Sequence, residues 1–281
     1  MSKFAIRSDM EGLSGVVTWE EVIPGAAPYE KSKTRLQQEI DALCGGLIEG
    51  GAERIEIYDE HYYGLNMDVG LLRPGTILYR GKPPYTSQWL GGVDSTFSGL
   101  ILQGYHAMAG VEGALLSHTY EPDIQAIRIN GRLVGEIGVE AAIAGDVGVP
   151  FAMYLGDFHG AMEATELVPS VETVVVKNGM GSQMGLCRNW PDIRAEIVDK
   201  AKRIAQQKAS GILHFAPPIR MEIDLNDGPY CERLFCIHGS LRIKDNTLAL
   251  NGASVADVWA KYWAMKNDIL VQLKQDKSAD A

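Results

Sequence analysis

Cysteine is scarce in this chain. Only Cys44, Cys187, Cys231 and Cys236 occur among 281 residues, and none forms a C-x-x-C pair. With no sign of secretion, reduced thiols in the cytoplasm are the expectation. Long apolar runs are missing as well. The least charged stretch, STFSGLILQGYHAMAGV at 95–111, is too short and too rich in glycine to span a membrane. The opening MSKFAIRSDMEG carries charges at Lys3, Arg7, Asp9 and Glu11, so no signal peptide is expected. Basic excess is absent: 26 Lys and Arg face 36 Asp and Glu, a net charge of −10 that argues against a nucleic-acid partner. No internal repeat, low-complexity tract, complete G-x-G-x-x-G fingerprint, Walker loop, G-x-S-x-G elbow or H-E-x-x-H motif occurs.

What is present reads as an ordinary globular composition, 46% hydrophobic and 22% charged. The run KFAIRS at 3–8 is a strand. The segment 28–49 is a helix, because Leu36, Ile40, Leu43 and Leu47 recur at steps of four, three and four, and Gly50-Gly51 stops it. A second strand, ERIEIY at 53–58, completes a βαβ unit with parallel strands. Further strands are predicted at 99–104, 124–129, 150–155 and 173–177, and helices at 135–146, 160–168 and 191–209. The fold class is therefore α/β, a three-layer core with a mostly parallel sheet. After Gly211 the pattern turns to α+β, with an alternating run, a hairpin around Asp245-Asn246 and a helix at 255–273. This divides the chain approximately into 1–212, an α/β domain, and 213–281, a smaller α+β C-terminal subdomain.

Asp9-x-Glu11 follows the first strand directly, where two carboxylates two apart project to one side. Alone, such a pair is a solvated acidic turn, and His61, His106 and His118 taken singly are ordinary hydrogen-bonded histidines. Glu136 alone is a helix-dipole glutamate. Position changes this reading. Asp9, His61 and His106 each end a separate predicted strand of one parallel sheet, where ligands of α/β sheets gather. With Glu11 and Glu136 they form a mixed nitrogen and oxygen set suited to Zn²⁺, with Mn²⁺ or Co²⁺ as alternatives. Five ligands exceed the need of one open zinc site, so two ions sharing a bridging carboxylate are expected, with Asp9 preferred as the bridge. Asp157, at the end of another strand, is a weaker candidate for a supporting or a substrate contact. His159, His214 and His238 have no partners nearby in sequence and are read as ordinary histidines.

The motifs S-D-M-E-G at 8–12, D-E-H at 59–61, G-Y-H-A at 104–107, S-H at 117–118 and V-G-E-I-G at 134–138 resemble those of a known family. It is the D-aminopeptidase family of the bacterial dipeptide-transport operon, binuclear zinc peptidases with an S-x-D-x-E-G type hallmark. Here Ser8 falls one place later than in that pattern, while the acids and the glycine keep their order. The resemblance spans roughly Phe4 to Lys177, and the last hundred residues carry no matching motif. It implies metal ligands at Asp9, Glu11, His61, His106 and Glu136, and a catalytic histidine at His118. It also implies a ring-like homo-oligomer, a decamer of two stacked pentamers, with active sites facing an enclosed space. The reading that follows is a cytoplasmic zinc aminopeptidase acting through a metal-bridged hydroxide on short peptides with an N-terminal D-amino acid. Tyr62, Tyr63 and Trp19 stand near the motifs and could reshape the pocket toward a non-peptide amide or hydrazide. A binuclear metal phosphohydrolase is the reading from another class, although only Arg7 and Arg132 could clamp a phosphate. A closed, purely structural metal site is the non-enzymatic alternative.

Overall fold

The computed structural model describes residues 2–82, 92–207, 209–236, 241–244 and 246–279. The first half runs β1 (Lys3–Ser8), α1 (Tyr29–Glu49), β2 (Arg54–Asp59), β3 (Thr76–Tyr79), β4 (Gly99–Tyr105), β5 (Ile124–Ile129), β6 (Arg132–Val134) and α2 (Glu136–Asp146). The second half runs β7 (Phe151–Asp157), α3 (Phe158–Leu167), β8 (Glu172–Gly179), β9 (Gly185–Cys187), α4 (Trp190–Gln206), β10 (Ile219–Leu225), α5 (Pro229–Phe235), β11 (Leu241–Lys244), β12 (Thr247–Gly252) and α6 (Val255–Ala279).

Seven strands form the central sheet in the order β3-β2-β1-β4-β7-β8-β9. All are parallel except β9, which returns antiparallel to β8. Alternation along β1 decides the layers: Phe4 and Ile6 face α1 and α4, and Ala5 faces the opposite side. The expected stripe of α1 is buried in full, with Leu36, Ile40, Leu43 and Leu47 packed beside Ile193, Ile197 and Ala201 of α4. On the other face lie α2 and α3, with the second sheet and α6 packed into the same core through Ile223, Leu248, Leu250 and Trp259. This is the three-layer α/β arrangement, extended on one side.

The second sheet is antiparallel, in the order β11-β12-β10-β5-β6. Its strands come from both parts of the chain. Met221 and Ile223 of β10 pair with Ile129 and Ile127 of β5, so residues 124–134 share one sheet with strands that follow residue 212. Three short elements were not expected from sequence: β3, β9 and α5. Each lacks a full apolar period; β9 is three residues opening on Gly185, and its Leu186 is exposed. The hairpin expected around Asp245-Asn246 corresponds to the β11–β12 pair, and Asp245 itself lies outside the described residues, as does His238.

Candidate metal centre

β1, β2 and β4 are neighbours in the sheet, with Ser8 level with both Asp59 and Gln103. The residues that follow these strands therefore emerge side by side at one carboxyl edge, bringing Asp9, His61 and His106 together. Glu136 comes from outside that sheet. The β5–β6 hairpin delivers the chain to α2, whose first residue it is, after the extended N-cap Gly135. His118 arrives on the loop between β4 and β5.

Oδ1 of Asp9 lies 2.9 Å from Nδ1 of His61, and Oδ2 of the same carboxylate lies 3.4 Å from Nε2 of His106. Oε2 of Glu11 is 3.2 Å from His61 Nδ1. Oε1 of Glu136 is 3.4 Å from His106 Nε2 and 3.9 Å from His118 Nε2. The donor atoms thus fall into two trios, Asp9, Glu11 and His61 beside His106, His118 and Glu136, each gathered within 4.8 Å. Ligands about 2.0–2.1 Å from a tetrahedral zinc stand roughly 3.3 Å apart, so the 3.2 and 3.4 Å separations fit the edges of such a polyhedron. Glu11 Oε2 and His106 Nε2 are buried without hydrogen-bond partners. Two buried ligand-type atoms facing other donors are what a site shaped for a cation leaves behind. His118 completes the second trio, whereas the sequence pattern suggested only a catalytic role for it.

Each of the three imidazoles is anchored through one ring nitrogen to a backbone carbonyl. His61 Nε2 donates to the Val22 carbonyl at 2.7 Å, His106 Nδ1 to Ala107 at 2.9 Å and His118 Nδ1 to Leu116 at 2.9 Å. Each backbone contact takes one ring nitrogen and turns the other toward the carboxylates. Burial works against charge on His61, but the Glu11 carboxylate and the contacts with Asp9 overcome it and hold the imidazole well above its ordinary range. His106 is raised in the same way, burial being outweighed by Glu136 and Asp9. Asp9, despite its burial, is held well below the usual carboxylate range by the two histidines. In the ion-free chain, protons on His61 and His106 balance the clustered acids.

The backbone around these residues is held in uncommon conformations. Tyr62 (φ 49°), Leu116 (φ 47°) and Tyr120 (φ 57°) are left-handed without being glycine, and they flank His61 and His118. A Cβ on Gly12 would fall on the Tyr105 carbonyl, and one on Gly104 on the carbonyl of Asp9. Both glycines are therefore required for the Asp9 loop to lie directly on the end of β4. Asp59 accepts from the side chain and backbone of Asn66, at 2.6 Å each, and Asn66 also donates to the His61 carbonyl. Tyr120 N–H donates to Glu136 Oε1 at 2.6 Å, and its hydroxyl to Glu140 at 2.9 Å. Glu140 is also paired with Arg7, so the cation nearest the hallmark motif is engaged with an acid. Asp157 accepts from Gly160 N–H and, at 3.3 Å, from Ala107 N–H, next to His106 in the chain.

Sequence reasoning passed over Glu39, Gln103, Glu140 and Lys177. Ser8 and Gln103 share a 2.6 Å bond, Gln103 donates to Glu39, and Glu39 accepts from Ser14 N–H at 2.8 Å. Lys177 is buried on β8 and donates to carbonyls of the Asp9 loop. The signal for each was a polar residue inside an apolar period, GLILQG and TVVVK among them. His159 and His214 join neither trio.

Compared with known proteins, residues 2–264 match the family model described as D-aminopeptidase, peptidase M55. The D-aminopeptidase of Bacillus subtilis (strain 168) is 30% identical over 228 residues, which cover 81% of this chain and 82% of the relative. Among solved structures, the chain is similar to the Zn-dependent D-aminopeptidase DppA from Bacillus subtilis, a self-compartmentalizing protease. That match has a TM-score of 0.88 at 26% identity, over 94% of this chain and 97% of the other.

Proposed function

The chain belongs to the D-aminopeptidase family of peptidase M55, and we propose that it is a zinc-dependent aminopeptidase of short peptides with an N-terminal D-amino acid. The observation that carries this reading is Asp9, one oxygen of which faces each trio of donors. In this reading Asp9, Glu11 and His61 would hold one zinc ion, and His106 and Glu136, with Asp9, would hold a second. Zinc in such a place supplies Lewis acidity, acidifying water toward neutral pH and polarising a carbonyl. The protein's part is to hold and move protons around that chemistry. His118, fixed at Nδ1 by the Leu116 carbonyl, keeps Nε2 free to take a proton and return it to the departing amine. Trp19 stands edge-on to His118 at 5.3 Å and Tyr62 edge-on to His61 at 5.1 Å, so aromatic rings bound the site near a histidine of each trio. Every one of these groups lies within 1–212, and the part 213–281 braces the other side of the core.

Engagement of Arg7 with Glu140 weighs against the phosphohydrolase reading, which needs a free clamp on phosphate. Its structural neighbour is self-compartmentalizing, which supports the reading that this chain too is a homo-oligomer, the ring of two stacked pentamers being what the family resemblance implies. No helix among the described residues is long and apolar enough to cross a membrane.

The test is a paired assay of the zinc-loaded protein on D-Ala-D-Ala, L-Ala-L-Ala and p-nitrophenyl phosphate. Release of free amino acid from the D-dipeptide alone is expected. Phosphate release without dipeptide cleavage would overturn the assignment. His118→Ala is expected to lose activity by a factor of roughly 10²–10⁴ while keeping both zinc ions by elemental analysis. Unchanged turnover would remove His118 from proton transfer, and loss of one ion would make it a ligand.

A further inference from the structure

The loop that carries Asp9 and Glu11 is buried, with Glu11, Leu13 and Val16 almost wholly shielded from solvent. It is neither helix nor strand, so its carbonyls must find donors outside regular structure. One residue answers three of them. Lys177, 1% exposed, directs its ammonium at the carbonyls of Glu11, Leu13 (2.9 Å) and Val16 (2.5 Å). An ammonium has three N–H donors, and here each has one acceptor. Lys177 belongs to β8, which is separated from β1 by β4 and β7. The lysine therefore draws the loop across the carboxyl edge of the sheet and pins its far end, while Gly12 N–H on the Gly104 carbonyl pins its middle.

We propose that Lys177 is a positioning residue that pre-forms the Glu11 half of the metal centre before any ion binds. Its Nζ fixes the peptide of Glu11 at the carbonyl, so the Glu11 side chain is presented to His61 without help from the metal. Asp9 is held separately, through its own N–H on the Gln103 carbonyl at 2.8 Å. Removal of the lysine therefore falls mainly on Glu11. This inference rests on the zinc reading given above.

The experiment measures zinc affinity of the full chain by chelator competition, independent of catalysis. The wild type is expected to bind two ions; failure to bind any would sink the zinc reading itself, not this inference alone. Lys177→Met is expected to weaken one ion by about tenfold or more, the range seen when groups that orient metal ligands are lost. That ion is expected to be the one weakened by Glu11→Gln, and the double variant to bind it no more weakly than Glu11→Gln alone. Lys266→Met removes a second buried ammonium, paired with Glu121 and Asp123 and away from the loop, and is expected to leave zinc affinity unchanged. Unaltered affinity in Lys177→Met, or an equal loss in Lys266→Met, would overturn the proposal. Should Lys177→Met fail to fold, hydrogen exchange of the zinc-free wild type decides. Protection of the Gly12, Leu13 and Val16 amides without metal is expected, and exchange at coil rates until zinc is added would overturn it.

Discussion

Asp9 faces His61 with one carboxylate oxygen and His106 with the other, and both imidazoles hold it ionised. In the proposed binuclear reading, a carboxylate shared in this way would make the two halves of the centre interdependent. Asp9→Ala is therefore expected to lose both zinc ions, whereas Glu11→Gln weakens one; retention of two ions by elemental analysis in Asp9→Ala would contradict the bridge. Glu163 offers a test by pH. Burial pushes its carboxyl up to about 7, against the pull of the Gly135 and Gly138 N–H groups. An unfolded glutamate releases its proton at about 4.3, so the folded chain binds the extra proton between those values. Its contribution to stability is complete below the unfolded pKa and is lost as pH rises through the folded one. Glu163→Gln, which stays neutral, is expected to gain on the wild type from about pH 5 to about pH 8. Denaturant midpoints across that range check it, and a pH-independent difference would refute it.

Among elements, the contact of α1 with α4 shows what periodicity conveys and what it omits. The stripe Leu36, Ile40, Leu43, Leu47 is evident in the sequence and is buried as expected. The closeness of approach was not. Gly46 and Gly50 let α4 pack against the backbone of α1, and a Cβ on Gly46 would stand 2.7 Å from that of Ala201. Gly46→Ala is expected to destabilise the fold by about 1–3 kcal/mol through overpacking, with zinc content per folded chain unchanged. A variant as stable as the wild type in urea would show that the helices move apart freely. Likewise the ends of β1, β2 and β4 could be located from short, mostly apolar runs, and with them Asp9, His61 and His106. Glu136 stood in a recognisable motif, but its arrival at that edge depends on the β5–β6 hairpin and on Tyr120 N–H.

At the scale of the whole molecule, large apolar side chains remain on the surface, among them Val69, Leu71, Met184 and Leu186, each more than 60% exposed. They flank opposite edges of the seven-stranded sheet, next to β3 and at β9. Light scattering of the purified chain is expected to give a mass several times that of one 281-residue subunit, and a strictly monomeric species would refute the ring. The second sheet adds a further constraint. Because β10 pairs with β5, residues after 212 complete a sheet begun at 124, and the C-terminal part buttresses the hairpin that leads to Glu136.

Local patterning along the chain was enough to establish the α/β class, the parallel strands and the donor types gathered at their ends. These follow from local period and from residues next to one another in the chain. It took the folded arrangement to bring Asp9 to both trios, to set His118 with His106 and Glu136, and to close Lys177 on a loop 164 residues away. Such contacts depend on strand order and on the direction of buried side chains. Burial selects them because an unpaired charge or carbonyl in the interior is costly, and no local pattern records which distant partner meets that need.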